Sequence, residues 1–426
     1  MVMPHMSTPL TVDSSRKAGQ LADLVEEFWD LELIESLYRD ASHTSPNDFR
    51  DAFHQRFERR GRLLLTGSAR HALKVLLAHA ARASRKRRVL LSNFNCRVVR
   101  DAVLIAGLAV DTFDFAAPLG QIDWEFVGRT LTDEHLAVVV PHFYGIPTDF
   151  AAMVPPARRK GVLIIEDCAH ALGASIAGTP AGQLGDAALF SFNYDKPISL
   201  AGGGALLINH SAIDIDRYAV EQSPPRRLEL LQFRRMKSAL LYGRARRERR
   251  PLLARIGAKL HVPPYAVPRL PTGIGSLRAA AGMLQLERYE EIRDRRNRNA
   301  QMLESALARL AWHVGETVKP AYLKLRVVVT ESDAAFAIGE CRRCGITIAN
   351  SNWPMLIDGP DKLHVNAQRA AAFGLDVPVH QNLSHTDIAN IARAFATAKA
   401  PDWGAVGPGP DPWTPPLNGT RHRNSG

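Results

Sequence analysis

Residues 161–209 read GVLIIEDCAHALGASIAGTPAGQLGDAALFSFNYDKPISLAGGGALLIN, and three apolar runs in it, VLIIED, AALFSFN and GALLIN, are set apart by glycine-rich turns. Continuous apolar runs this short fit strands buried on both faces better than strands with one wet face. Towards the N-terminus the pattern repeats in RVLLSNF (88–94), LAVDTFDF (108–115) and LAVVVPHFYG (136–145). Amphipathic, helix-like pieces at 69–83, 97–106 and 150–160 lie between them. Buried strands alternating with helices predict an α/β protein whose mostly parallel sheet is covered on both faces.

The chemistry sits at the ends of these runs. VLIIED delivers Glu166 and Asp167 at the carboxyl end of its strand, where α/β sheets present ligand groups. Lys196 follows the next buried strand, and a lysine there is costly unless neutralised, paired or used covalently. A carboxylate and a lysine so placed match the needs of pyridoxal 5′-phosphate. Its aldehyde needs an amine, and its ring nitrogen needs an anion. Its phosphate needs the start of a helix and hydroxyls. Thr66-Gly67-Ser68-Ala69 opens a helix, and Ser191 adds a hydroxyl near the lysine. Taken singly, each residue has an ordinary structural use, as a helix cap, an ion pair or a core histidine. Their order and spacing carry the reading.

EDCAHALGA, the pattern G-x-x-x-G-x-x-G-D, FSFNYDK and GGGALLIN resemble the DegT/DnrJ/EryC1/StrS aminotransferases, a fold-type I group. TGSARHAL, VLLSNFNCRVVRDAVLIAG, PHFYGIPTD, LRAAAGMLQLERYEEIRDRR and VPVHQNLSHTDIANIARAF extend the resemblance from about residue 63 to 395, with a break at 210–270. It implies a large domain with a seven-stranded mixed sheet, a smaller C-terminal α+β domain, and a homodimer with its active sites at the interface. Position by position, Lys196 would form the Schiff base, Asp167 would pair with the pyridinium nitrogen, and His170 would sit against the cofactor's 3′-oxygen. Gly67, Ser68, Ala69 and Ser191 would hold the phosphate, Cys96 would lie against the ring, and Asn193 would line the site beside the lysine. Glutamate would be the usual amino donor and a keto-sugar on a nucleotide the usual acceptor.

Three features depart from that pattern. Cys96 stands where many members have an aromatic residue. The glycine run after the lysine is Ala-Gly-Gly-Gly, without the frequent acid. An Asn-Tyr-Arg motif before the linking helix is replaced by PTGIGS (271–276), and the segment ahead of it is long and basic. Between Arg226 and Lys259 stand twelve Arg or Lys and two acids, so this segment carries nearly all of the chain's net charge of +11. Its arginines suit a diphosphate, an acidic glycan or an anionic membrane surface, or else form a solvated helical face. No nucleic-acid reading motif accompanies them. Cys341-Arg342-Arg343-Cys344, a single CxxC, is read as a helix end rather than a metal site.

With 426 residues, 46% hydrophobic and 23% charged, the chain has a globular composition. No run reaches the ~20 apolar residues of a spanning helix, no secretory signal stands at residue 1, and four cysteines are too few for a disulfide scaffold, so a cytoplasmic enzyme is expected. The expected organisation is an N-terminal arm (1–45) with a helix over 21–37, a cofactor-binding domain (46–269) with the basic insertion at 220–269, a linking helix and small domain (270–400), and a disordered tail (401–426). Two other functions are weighed. A cofactor-dependent sugar dehydratase would have a histidine in place of Lys196. A non-catalytic regulatory protein would dock an acidic partner through 226–259.

Overall fold

The computed structural model describes residues 28–40, 44–57, 60–116, 120–211, 213, 224–247, 273–312, 314–348, 355–356 and 364–401. Seven strands form one sheet: β1 (Arg62–Thr66), β2 (Arg88–Ser92), β3 (Ala109–Phe113), β4 (His135–Pro141), β5 (Leu163–Asp167), β6 (Ala187–Ser191) and β7 (Gly204–Ile208). Their order across it is β1-β7-β6-β5-β4-β2-β3. β7 runs against both its neighbours, while the pairs β6/β5, β5/β4, β4/β2 and β2/β3 are parallel. The sheet is therefore mixed, as the sequence reading expects. Its parallel strands put their carboxyl ends on one edge, which carries Asp167 and Ser191.

Alternate residues of the strands feed separate layers. Ala188 and Phe190 of β6 pack with Phe49, Phe53 and Phe192 against α2 (Pro46–Arg56) and the long α8 (Ser276–Leu307). Ala187 and Leu189 face the other way, packing with Val89, Leu91 and Val139 under α3 (Ala69–Arg82) and α4 (Arg97–Ile105). Leu90, Val138 and Ile164 join Trp124 and Val127 of α5 (Trp124–Thr130) and Ala157 of α6 (Val154–Arg159). Each aliphatic residue so enclosed contributes roughly 1.5–3 kcal/mol of burial.

Helix starts follow their caps. Ser45 closes a capping box with Asp48 ahead of α2, whose first residue is proline. Ser68 caps α3 by accepting the His71 N–H. The stretch 150–160 is not one helix, because Pro155-Pro156 confines the regular turns to α6, behind a short 3-10 turn at Ala151–Met153.

The basic segment is the main departure from expectation. Residues Arg226–Arg247 form α7, one side of which is packed while Arg226, Arg227, Arg234 and Arg244 remain exposed on the other. Phe233, Met236, Ala239 and Leu240 join the core beside Trp29, and Glu229 and Arg235 are also buried. Glu229 accepts N–H groups from Gly275 (2.7 Å) and Leu277 (3.2 Å) at the start of α8. A Cβ on Gly275 would lie 2.5 Å from the Glu229 carboxylate, so the glycine of PTGIGS makes room for it. The rest of the insertion, 248–272, lies outside the described residues, as do 1–27 and the tail from 402. Of the helix expected over 21–37, residues 21–27 lie outside the described residues, 28–30 are not helical, and α1 runs Leu31–Asp40.

A smaller α+β unit closes the chain. β8 (Leu325–Val328) pairs antiparallel with β9 (Gly374–Val377), and Ala337 and Cys341 of α9 (Glu331–Arg343), together with Ile388 and Ile391 of α11 (His385–Ala394), cover them with the end of α8. Cys341 is packed in this core, and burial pushes its thiol up to about 11. Among the described residues, no helix is long and apolar enough to cross a membrane.

Candidate functional site

At the carboxyl edge of the sheet Lys196 lies 9% exposed, its Nζ 2.8 Å from His170 Nε2. His170 follows β5 and is buried. Burial, then the charges of Lys196 and Lys324, hold its imidazole well below its ordinary range, so the ring is neutral. Its Nδ1 accepts the Tyr144 backbone N–H at 3.2 Å. A neutral ring that accepts at Nδ1 carries its proton on Nε2. Nε2–H therefore points towards Lys196. Tyr144 holds this geometry from a left-handed backbone, φ 56°, a conformation that costs a large side chain about 1–3 kcal/mol.

Asp167 ends β5 half-buried, with one carboxylate oxygen accepting the Ala169 N–H at 3.1 Å. Burial raises its pKa, against the pull of that N–H, Lys196 and His142. A cationic ring nitrogen beside it would draw the proton off again. Its neighbour Glu166 belongs to the frame. Fully enclosed, it accepts His142 Nε2–H (2.9 Å) and the N–H groups of Gly182, Leu184 and Gly185 (2.7–2.8 Å). His142 Nδ1 accepts from Thr148, which fixes the proton on Nε2. His142, Glu166 and Cys168 have the spacing of a metal site, but both Glu166 oxygens are already committed to these donors.

Across from the lysine, α3 begins at the Gly67–Ser68 turn. Gly203 donates its N–H to Gly67, and Ser68 bridges to Gly203. A Cβ on Gly204 would come 2.4 Å from the Ala69 nitrogen, so only glycine lets the strand after the lysine pass so close to that helix start. Ser191 pairs with Gly204 across β6 and β7, which puts its hydroxyl beside the same turn. Cys96 is half-buried at the N-cap of α4, with no side-chain cap bond. Asn193 is exposed on the loop, and its carbonyl accepts the Lys196 N–H (3.2 Å). The expected residues thus flank one edge, with Asn193 at its rim.

Three further residues belong to the site. Asp195 places Oδ2 3.3 Å from Lys196 Nζ. Burial pushes its carboxyl up, but Lys196 and Lys324 outweigh that and hold it below its ordinary value. Lys324, just ahead of β8, acts on His170 and Asp195 as a nearby charge, and its neighbour Leu323 donates its N–H to the Tyr144 carbonyl at 2.8 Å. Tyr144, the third, joins the two. An acid directly before the lysine is a signal readable in FSFNYDK; for Tyr144 and Lys324 there is none, since backbone bonds between distant segments place them.

A buried amine, a carboxyl at the end of the adjoining strand and a glycine-lined helix start form one donor set, and it fits pyridoxal phosphate. The fold is one shared with solved sugar aminotransferases. The sugar aminotransferase CalS13 from Micromonospora echinospora shares it at a TM-score of 0.63 and 18% identity, over 92% of this chain and 97% of that one. DesI, solved with its TDP-sugar product, shares it at a TM-score of 0.61 and 22% identity, over 86% and 90%. Residues 42–229 match the model of the DegT/DnrJ/EryC1/StrS aminotransferase family. It is 32% identical over 129 residues to a UDP-N-acetyl-3-dehydro-alpha-D-glucosamine 3-aminotransferase of Acidithiobacillus ferrooxidans, 29% of this chain and 34% of that protein. It is 28% identical over 279 residues to the GDP-perosamine synthase of Caulobacter vibrioides, 62% of this chain and 66% of that protein. The chain thus matches about a third of the length of the first relative and just under two thirds of the second.

Proposed function

We propose that the protein is a pyridoxal-phosphate-dependent aminotransferase that moves an amino group from an amino acid, L-glutamate first among the candidates, to a keto-sugar carried on a nucleotide. The observation that carries the reading is the Lys196 amine, enclosed at the sheet edge 2.8 Å from His170 Nε2, with Asp167 on the adjoining strand. The two relatives named above act on a UDP-linked and a GDP-linked sugar, which supports a nucleotide-linked acceptor. Lys196 itself stands against the dehydratase alternative.

The cofactor, when bound, supplies an aldehyde that bonds an amine and a ring that takes up electrons. The rest falls to the chain. The start of α3 with Ser68, Ala69 and Ser191 would bind the phosphate, and Asp167 would hold the proton on the ring nitrogen. His170 Nε2–H would donate to the 3′-oxygen, in place of its present bond to the lysine. Lys196, once released, would carry a proton between the substrate carbon and the cofactor. Cys96 and the 321–324 segment would cover the ring and keep out water.

The test is the visible spectrum of the purified protein given pyridoxal phosphate, before and after L-glutamate, with Lys196→Ala as control. A band that glutamate bleaches, and that Lys196→Ala lacks, supports the proposal. Absence of any band from the wild-type chain overturns it.

A further inference from the structure

The outer side of α7 is a row of cations. Arg227, Arg234 and Leu241 follow one another at two-turn intervals, and Leu230, Lys237 and Arg244 form the adjacent row. Arg226, Arg227, Arg234 and Arg244 are exposed, and so is Leu241, 47% open to water. The acid of this helix, Glu229, is turned inward, so none stands among them. Glu35 of α1 takes Lys237 at 3.1 Å, while Arg226, Arg227 and Arg234 have no ion-pair partner among the described residues. Arg226 and Arg227 also open the helix, where its own field favours an acid, so their charges weaken the element they belong to. An anionic partner would reverse that sign, because the arginines and the helix start would then act together on it.

We propose that the outer face of α7 docks the protein on an anionic phospholipid surface, with its arginines on the headgroup phosphates and Leu241 at the edge of the acyl layer. This goes beyond the aminotransferase reading and does not depend on it. The charge complementarity is local, since the cations lie along one helix. From Arg227 to Arg244 the face runs about 26 Å in a straight line, more than one diphosphate covers and well matched to a plane. A leucine exposed among arginines has no use on an acidic glycan, but it suits the headgroup boundary. A second copy is a poor occupant, because a two-fold contact would set the same arginines against each other. The inner side of α7 is taken up by the core, so the contact is peripheral and salt-sensitive rather than inserted.

Flotation of the full-length chain tests this, using phosphatidylcholine vesicles with and without phosphatidylglycerol at about a third of the lipid. Wild type should float with the anionic vesicles alone and come off as salt rises from about 0.1 to 0.5 M. Arg227→Gln combined with Arg234→Gln should lower the partitioning about tenfold, and Leu241→Gln by a smaller factor. Both should keep the wild-type melting transition. Lys319→Gln combined with Arg342→Gln removes the same net charge from exposed positions elsewhere and should leave binding nearly unchanged. Vesicle binding that the two α7 arginine substitutions leave intact, or that the control pair lowers as much, overturns the proposal. So does a wild type that stays off anionic vesicles. Retention on heparin, or self-association, that the double variant abolishes would then assign the face to an acidic glycan or to a second copy.

Discussion

Glu166 and Asp167 are consecutive residues at the end of β5, yet their side chains face opposite sides of the sheet edge and do unrelated work. Glu166 accepts four donors in a site closed to water, and His142 with the N–H groups keeps its carboxyl ionised despite burial. Its folded pKa is depressed, so the stability it adds is present above the ordinary value of 4.5 and is lost as pH falls through the folded value. Glu166→Gln would turn one accepting oxygen into a donor facing N–H groups. It should cost about 2–4 kcal/mol in a denaturant titration at pH 7, with the gap to wild type narrowing towards pH 3. An unchanged midpoint at pH 7 would mean that the loop at 182–185 is held by something else. Lys196, Asp167 and Ser68 are legible in the sequence because each stands just beyond a buried strand, where a polar residue needs a reason. Asp195 is in plain view in FSFNYDK and still passes unnoticed, since a charged loop residue is ordinary until its distance to the amine is known.

At the scale of elements, the strands and the linking helix are legible because burial leaves a period in the sequence. α7 is not, because its composition looks solvated all round while one of its sides is packed. Its charges are reconciled one at a time. Glu229 meets the start of α8 and Arg278, and Arg278 also donates to Gln232. Arg235 is the exception, 3% exposed, with Nε and Nη2 lacking hydrogen-bond partners among the described residues. A buried cation so placed is a net cost, so Arg235→Met, of similar length and apolar, should raise stability by about 1–3 kcal/mol. Chemical denaturation reads this directly, and a loss of stability would show that the guanidinium has a partner in solution.

The whole molecule is tied together through a few backbone contacts that no sequence pattern announces. Gly145 accepts the Ala321 N–H at 2.9 Å, and a Cβ on it would lie 2.0 Å from the Ala321 carbonyl oxygen, with φ at 88°. Gly145→Ala should therefore force the 144–145 loop and the 321–323 segment apart, costing about 2–4 kcal/mol and weakening pyridoxal phosphate binding along with it. Equilibrium dialysis and a melt on the same sample check both. If only the melting temperature falls, the seam supports the fold without shaping the site. The seam joins residues some 175 positions apart and is made of peptide groups, which carry no side-chain signature. For that reason a sequence that shows both halves clearly says nothing of how they meet.

The peptide units around Tyr144 sit on that seam. The N–H of Tyr144 reports to the imidazole beside the lysine, and its carbonyl is held by Leu323 of the small unit. One residue thus ties the tautomer of the imidazole to the position of Leu323, so a displacement at either end strains the hydrogen bond at the other.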